Sequence, residues 1–182
     1  MGFVVLQMAK ADLKVVGPAA IFSRYLVAGG TAIQVGEPVH SVATYTSGVA
    51  SANTMVLAAA DTPVIGTHNF GGVANENSTN VAAGTVAEQF LNVAVPVPNI
   101  GRIRGLAETL ANINTLTELA LIIMDKSLID YNSTGASDSG ELYTIKDTAA
   151  ADVNGLIIVG GNTALQTIDA VVDARAFMLD VT

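Results

Sequence analysis

The sequence predicts a mainly β fold: a small β-barrel, β-tulip-like or sandwich domain with one short helix and an extended N-terminal arm. Three observations predict it. The apolar content is 51% and is mostly small, with aromatics at 5% and no Trp, and small or β-branched side chains fill closely spaced sheets well. From Gly36 onward, short apolar runs alternate with turn residues at the spacing of a sandwich or barrel. Charged residues are only 13%, about half the usual share, so the surface is made largely of Ser, Thr, Asn, Gly and Ala. A monomer usually keeps more surface charge than this. A mean hydropathy of +0.50 therefore points to an exterior covered by copies of the chain or by a partner.

The 182 residues suit one domain with a real core. Residues 1–35 read as an arm, interrupted by Lys10, Asp12, Lys14, Arg24 and Gly29-Gly30, with Gly17-Pro18 breaking regular structure. An equally good reading makes them the first strands of the same domain, which otherwise spans residues 36–182. The predicted strands are Pro38–Tyr45, Met55–Ala59, Gly72–Asn75, Thr85–Val95, Gly101–Ala107, Leu128–Tyr131, Leu142–Lys146, Gly155–Val159 and Ile168–Phe177. Val86, Phe90 and Val93 are unevenly spaced for one strand face, which suits a bulge. Pro96 and Pro98 end that strand, and Gly160-Gly161-Asn162 reads as a hairpin turn. The helix begins at Thr115-Leu116-Thr117-Glu118, a capping box. After it, Leu116, Leu119, Ala120 and Ile123 fall on one face.

Chemistry is sparse. There is no cysteine, so disulfides, thiolate metal sites and Cys nucleophiles are excluded. No Gly-x-Ser-x-Gly elbow is present. His40 and His68 are too far apart to form a local metal motif and read as structural hydrogen-bonding residues. Gly101-Arg-Ile-Arg-Gly105 and Gly160-Gly161 match no phosphate-binding pattern and read as tight turns. The low aromatic content argues against a sugar-gripping cleft. We expect no enzyme, and we assign no catalytic, cofactor-binding or metal-binding residue. The sharpest motif is Asp130 to Glu141, which places Asp130, Asn132, Gly135, Asp138 and Glu141 at EF-hand positions. Thr134 and Ser137 depart from that pattern, and a strand follows where a helix belongs. A Ser/Gly/Asp hairpin loop is the competing reading. Asn77 and Asn132 head sequons that matter only in a secretory chain.

The chain is acidic, with eight Lys or Arg against sixteen Asp or Glu and a net charge of −8. Its basic residues are scattered, Arg102 and Arg104 being the only close pair, so nucleic acid is not an expected partner. Apolar runs such as Leu119 to Met124 fall far short of the roughly 18–20 residues of a spanning helix. Neither a signal peptide nor a myristoylation motif is read at the N-terminus. No membrane partner is expected.

The order of features resembles head decoration proteins of tailed bacteriophages over about four-fifths of the chain. The residues that carry the resemblance are Gly36-Glu-Pro-Val39, Gly66 through Ala74, Ala83-Gly-Thr-Val-Ala-Glu88, Tyr143-Thr-Ile145, Gly155-Leu-Ile-Ile-Val159 and Asp173-Ala-Arg-Ala-Phe177. The segment before Gly36 departs from the family. The resemblance implies a structural virion protein on the outer capsid surface. Its partners would be the major capsid protein and copies of itself, and it would clamp the shell. Phe3, Phe22, Arg24 and Tyr25 are the expected anchors of such a contact. The alternatives are another phage assembly subunit, a tail tube or head fibre, or an extracellular calcium-dependent binding module.

Overall fold

In the computed structural model, short runs of Val, Ile, Ala and Thr between turn residues become twelve strands and one α-helix among the described residues. The structure describes residues 13–27, 33–46, 49–57, 62–67, 70–77, 86–131, 143–148 and 151–177. In chain order, the strands before the helix are β1 (Lys14–Val16), β2 (Ala19–Val27), β3 (Pro38–Thr46), β4 (Val49–Leu57), β5 (Phe70–Ala74), β6 (Val86–Pro96) and β7 (Arg102–Leu106). Helix α1 (Leu116–Ile122) is followed by β8 (Lys126–Ser127), β9 (Ile129–Tyr131), β10 (Tyr143–Ile145), β11 (Leu156–Asn162) and β12 (Thr167–Val172). The chain is mainly β with one short helix, as its composition predicts.

Five strands form an antiparallel sheet in the order β1-β7-β12-β11-β8. Strand β9 pairs with β10 as a separate antiparallel pair. The remaining strands pair around a ring, β2-β4-β3-β5-β6 and back to β2. Its links are antiparallel ladders except one, where β2 meets β4 in parallel through Tyr25 with Thr54 and Leu26 with Met55. The ring is built by its ladders and only sealed at this short seam, so it is not an evenly closed barrel. The uneven apolar spacing of β6 is a bulge: opposite β2, Tyr25 pairs with Phe90 and Val27 with Val86.

Of the two readings for residues 1–35, residues 13–27 follow the one that makes them strands of the domain. Val15 packs inward on the main core while Lys14 is exposed, the alternation of a half-buried strand. Gly17, at φ +86, turns the chain from β1 into β2 rather than dissolving it into coil. Over 13–27 the chain pairs with β7, β6 and β4. Residues 1–12 and 28–32 lie outside the described residues.

Two apolar clusters hold the fold. The larger joins Leu13, Ile103, Ile113, Ile129, Tyr143, Leu156, Ile158 and Ile168 with Phe70 and Val73 of β5. The smaller lies with the ring strands and contains Ile33, Val39, Ala74, Leu91 and Val93. Successive residues of a strand point to opposite faces. Val73 and Ala74 thus enter different clusters, and β5 is the element the two share. Gly72, at φ +123, makes this possible, because an added Cβ would lie 2.6 Å from both the Ala94 carbonyl oxygen and Val93 Cγ1.

Two local expectations need correction. Gly160, Gly161 and Asn162 are not the hairpin turn. They pair with Asp169, Ile168 and Thr167 as the end of β11, and the turn spans 163–166, with Gln166 at φ +52. Asn162 closes it by accepting the Leu165 amide at 3.0 Å. Over Gly101 to Gly105 the predicted strand is observed and the tight-turn reading is not, since Arg102–Leu106 is a strand.

Helix α1 begins as predicted. The Thr115 hydroxyl oxygen accepts the Glu118 amide and a Glu118 carboxylate oxygen accepts the Thr115 amide. Its buried face is not the predicted one. Leu119 is buried and Ile122 packs on the main core, an i, i+3 pair. Leu116 is 77% and Ile123 41% exposed. The helix is only seven residues long, and Ile123 has already left helical geometry with ψ 133. It meets the sheet where Leu119 lies close over Gly161, whose missing side chain leaves the room. No helix among the described residues is long and apolar enough to cross a membrane.

Candidate functional site

Alternation and register sort the side chains of the five-stranded sheet onto two faces. Ile103, Leu156, Ile158, Ile168, Ala170 and Val172 all point into the main core. Their neighbours point outward. Directly paired residues share a face, so the pairs Lys14–Arg104, Arg104–Asp169, Val16–Arg102, Arg102–Val171, Val171–Ile157 and Ile157–Lys126 put all of these residues on the outer face. Lys14, Arg102, Arg104 and Lys126, from three strands, thus lie on one surface. Arg175, in the 3-10 turn after β12 (Ala174–Phe177), joins them through Asp173.

Two carboxylates on or just beyond β12 organise these cations. Asp169 is only 4% exposed. It accepts from Arg104 at Nε (2.6 Å) and Nη2 (2.8 Å), a two-pronged contact. Arg102 stands 3.8 Å away and is 52% exposed. The contact raises the Arg104 guanidinium above its ordinary value, chiefly by hydrogen bonding to Asp169. Four residues along, or about 13 Å at strand spacing, Asp173 accepts from Arg175 Nη2 at 2.7 Å and from Lys126 Nζ at 3.0 Å. Hydrogen bonds from Arg175 hold the Asp173 carboxyl far below the usual carboxylate range. Burial opposes the shift, and Lys126 reinforces it.

The consequence is a segregation of charge. With Asp152, whose charge acts on Arg175, five cations against three carboxylates leave this face at +2, while three cations and thirteen carboxylates leave the rest of the chain at −10. The basic residues that look scattered in sequence are gathered by topology. Only the i, i+2 spacing of Arg102 and Arg104 hints at it, and their partners come from β1, β8 and the turn after β12.

The opposite side of the sheet carries a second feature. Leu119 of α1 sits over Gly161, which pairs with the inward-facing Ile168, so the helix covers the inner face. Its own outer side leaves Leu116 at 77%, Leu121 at 75% and Met124 at 69% exposed. From Gly105 to Asp125 there is no Lys or Arg, but there are Glu108, Glu118 and Asp125.

Among the described residues, those singled out in the sequence lie on separate elements, β2, β3 and β9, with Phe22, Arg24 and Tyr25 sharing β2. His40 lies on β3, opposite Val56 and Phe70, and His68 lies outside the described residues. Phe22, on β2 opposite Val93, is 41% exposed. Arg24 and Tyr25 pair with Leu91 and Phe90, and Phe3 lies outside the described residues. Asp130 is within β9, its Oδ1 3.5 Å from Lys146 Nζ. Antiparallel strands β9 and β10, not helices, flank the EF-hand-like stretch, and its residues 132–141 lie outside the described residues. Among the described residues no group of three or more His, Cys, Asp or Glu is placed to hold a metal ion. A scan against models of known protein families found no match, and a search of curated proteins found none.

Proposed function

We propose that this chain is a non-enzymatic structural subunit that binds the outer surface of a tailed-phage capsid as an oligomer and stabilises the shell. The observation that carries the reading is the +2 basic face on a chain whose remainder is −10. A broad charged sheet face is a docking surface rather than a cleft, and electrostatic complementarity of this kind selects orientation and partner. The low overall charge suits a subunit that is extensively covered once assembled. An acidic exterior is better placed outside a shell than against packaged DNA. The resemblance to head decoration proteins points the same way. Many shallow contacts repeated over a symmetric shell add through avidity, so no single deep anchor is required.

The test is reconstitution. Shells lacking this chain are incubated with the purified protein, pelleted and heated. The reading expects the protein to pellet with the shells and to raise the temperature at which they release their contents. Failure to pellet with the shells at micromolar concentration contradicts it.

A further inference from the structure

Resting on that reading, we infer that the basic sheet face docks onto the acidic, apolar α1 segment of a second copy of this chain, in a head-to-tail contact. The two surfaces lie on opposite sides of one sheet, since the cations share the outer face and α1 packs on the inner one. A patch on one side that complements a different patch on the other makes a heterologous contact, which repeats from copy to copy. Their chemistry matches. Lys14 and Arg102 are exposed; α1 carries Glu118, which also caps it, is flanked by Glu108 and Asp125, and has no cation from Gly105 to Asp125. The long stems of Lys and Arg, with half-buried Val16 and Ile157 between them, offer apolar surface. Leu116, Leu121 and Met124 could cover it, and in the single chain they are largely exposed. The occupant is a second copy, because the chain itself supplies the complementary charge.

Salt alone does not decide this. Two copies of net −8 repel at long range, and that repulsion is screened along with the contact itself. Paired variants do decide it, read by sedimentation velocity of the full chain over a concentration series. Lys14→Glu with Arg102→Gln damages the basic face while leaving Asp169 its two-pronged bond from Arg104. Leu116→Ser with Leu121→Ser damages the α1 face at exposed positions. Both should melt close to the unaltered protein, which shows that the fold is intact.

We expect the unaltered chain to self-associate and each double variant to associate at least about tenfold more weakly, the size of two exposed charge contacts or two small apolar ones. Mixing the two variants should give a dimer that does not grow, because one intact face of each kind remains. The inference is overturned if the unaltered chain is monomeric throughout, if either variant associates as before, or if the mixture stays monomeric. Shell pelleting is scored separately on the same preparations. A chain that pellets with shells yet stays monomeric in solution overturns this contact and leaves the shell-binding part of the proposed function standing. A chain that self-associates but does not pellet with shells does the reverse.

Discussion

At the scale of single residues, Asp169 and Asp173 convert a run of outward cations into a fixed surface. Asp169 is buried and its partner Arg104 only half covered, so the pair is worth less than a fully desolvated one. Removing the carboxylate still strands a guanidinium that is now oriented by it. Asp169→Ala should lower unfolding stability by about 1–3 kcal/mol, measured by urea denaturation. Asp173 gives a pH signature. Its carboxyl is depressed in the folded chain from an ordinary value of 3.8. Its contribution is therefore complete above the unfolded value and lost as pH falls below about 4 toward the folded one. Asp173→Asn should flatten that part of the stability profile while leaving the neutral-pH slope unchanged. Asp147 is buried, and neither of its carboxylate oxygens meets a donor among the described residues, so Asp147→Asn should cost nothing or stabilise by about 1 kcal/mol. None of these roles was legible from the sequence. Period-two spacing shows that Arg102 and Arg104 share a face, but not which carboxylate faces them from Asp169, 65 positions further along the chain.

At the scale of elements, local signals were read well and packing partners were not. The capping box at Thr115 fixes where α1 starts because it depends on residues three apart. Pro96 ends β6 and the bulge falls within it, again for local reasons. The buried face of the helix depends instead on Gly161, which periodicity cannot supply. The hairpin turn moved by the same logic: two glycines read as a turn are strand residues, one of them making space for Leu119. Leu119→Ala should therefore destabilise by about 2–5 kcal/mol. Leu116→Ala, one turn earlier, should stay within about 0.5 kcal/mol. Equal losses in thermal or urea unfolding would mean that the predicted face, not the observed one, is buried.

At the scale of the whole molecule, composition indicated a β-rich chain with a sparsely charged surface, and the strand runs from Gly36 onward located most of the sheets. The sorting of charge was hidden, because a count of eight cations against sixteen carboxylates carries no information about faces. That sorting is the basis for reading the chain as a subunit made to be covered. It is tested most directly by the copy number of this protein in purified, DNA-filled particles relative to the major capsid protein. A ratio near one, or a simple fraction set by a symmetry axis, is the predicted result. A few copies per particle would contradict shell decoration and point to a tail or fibre subunit. Absence from particles would remove the virion reading entirely.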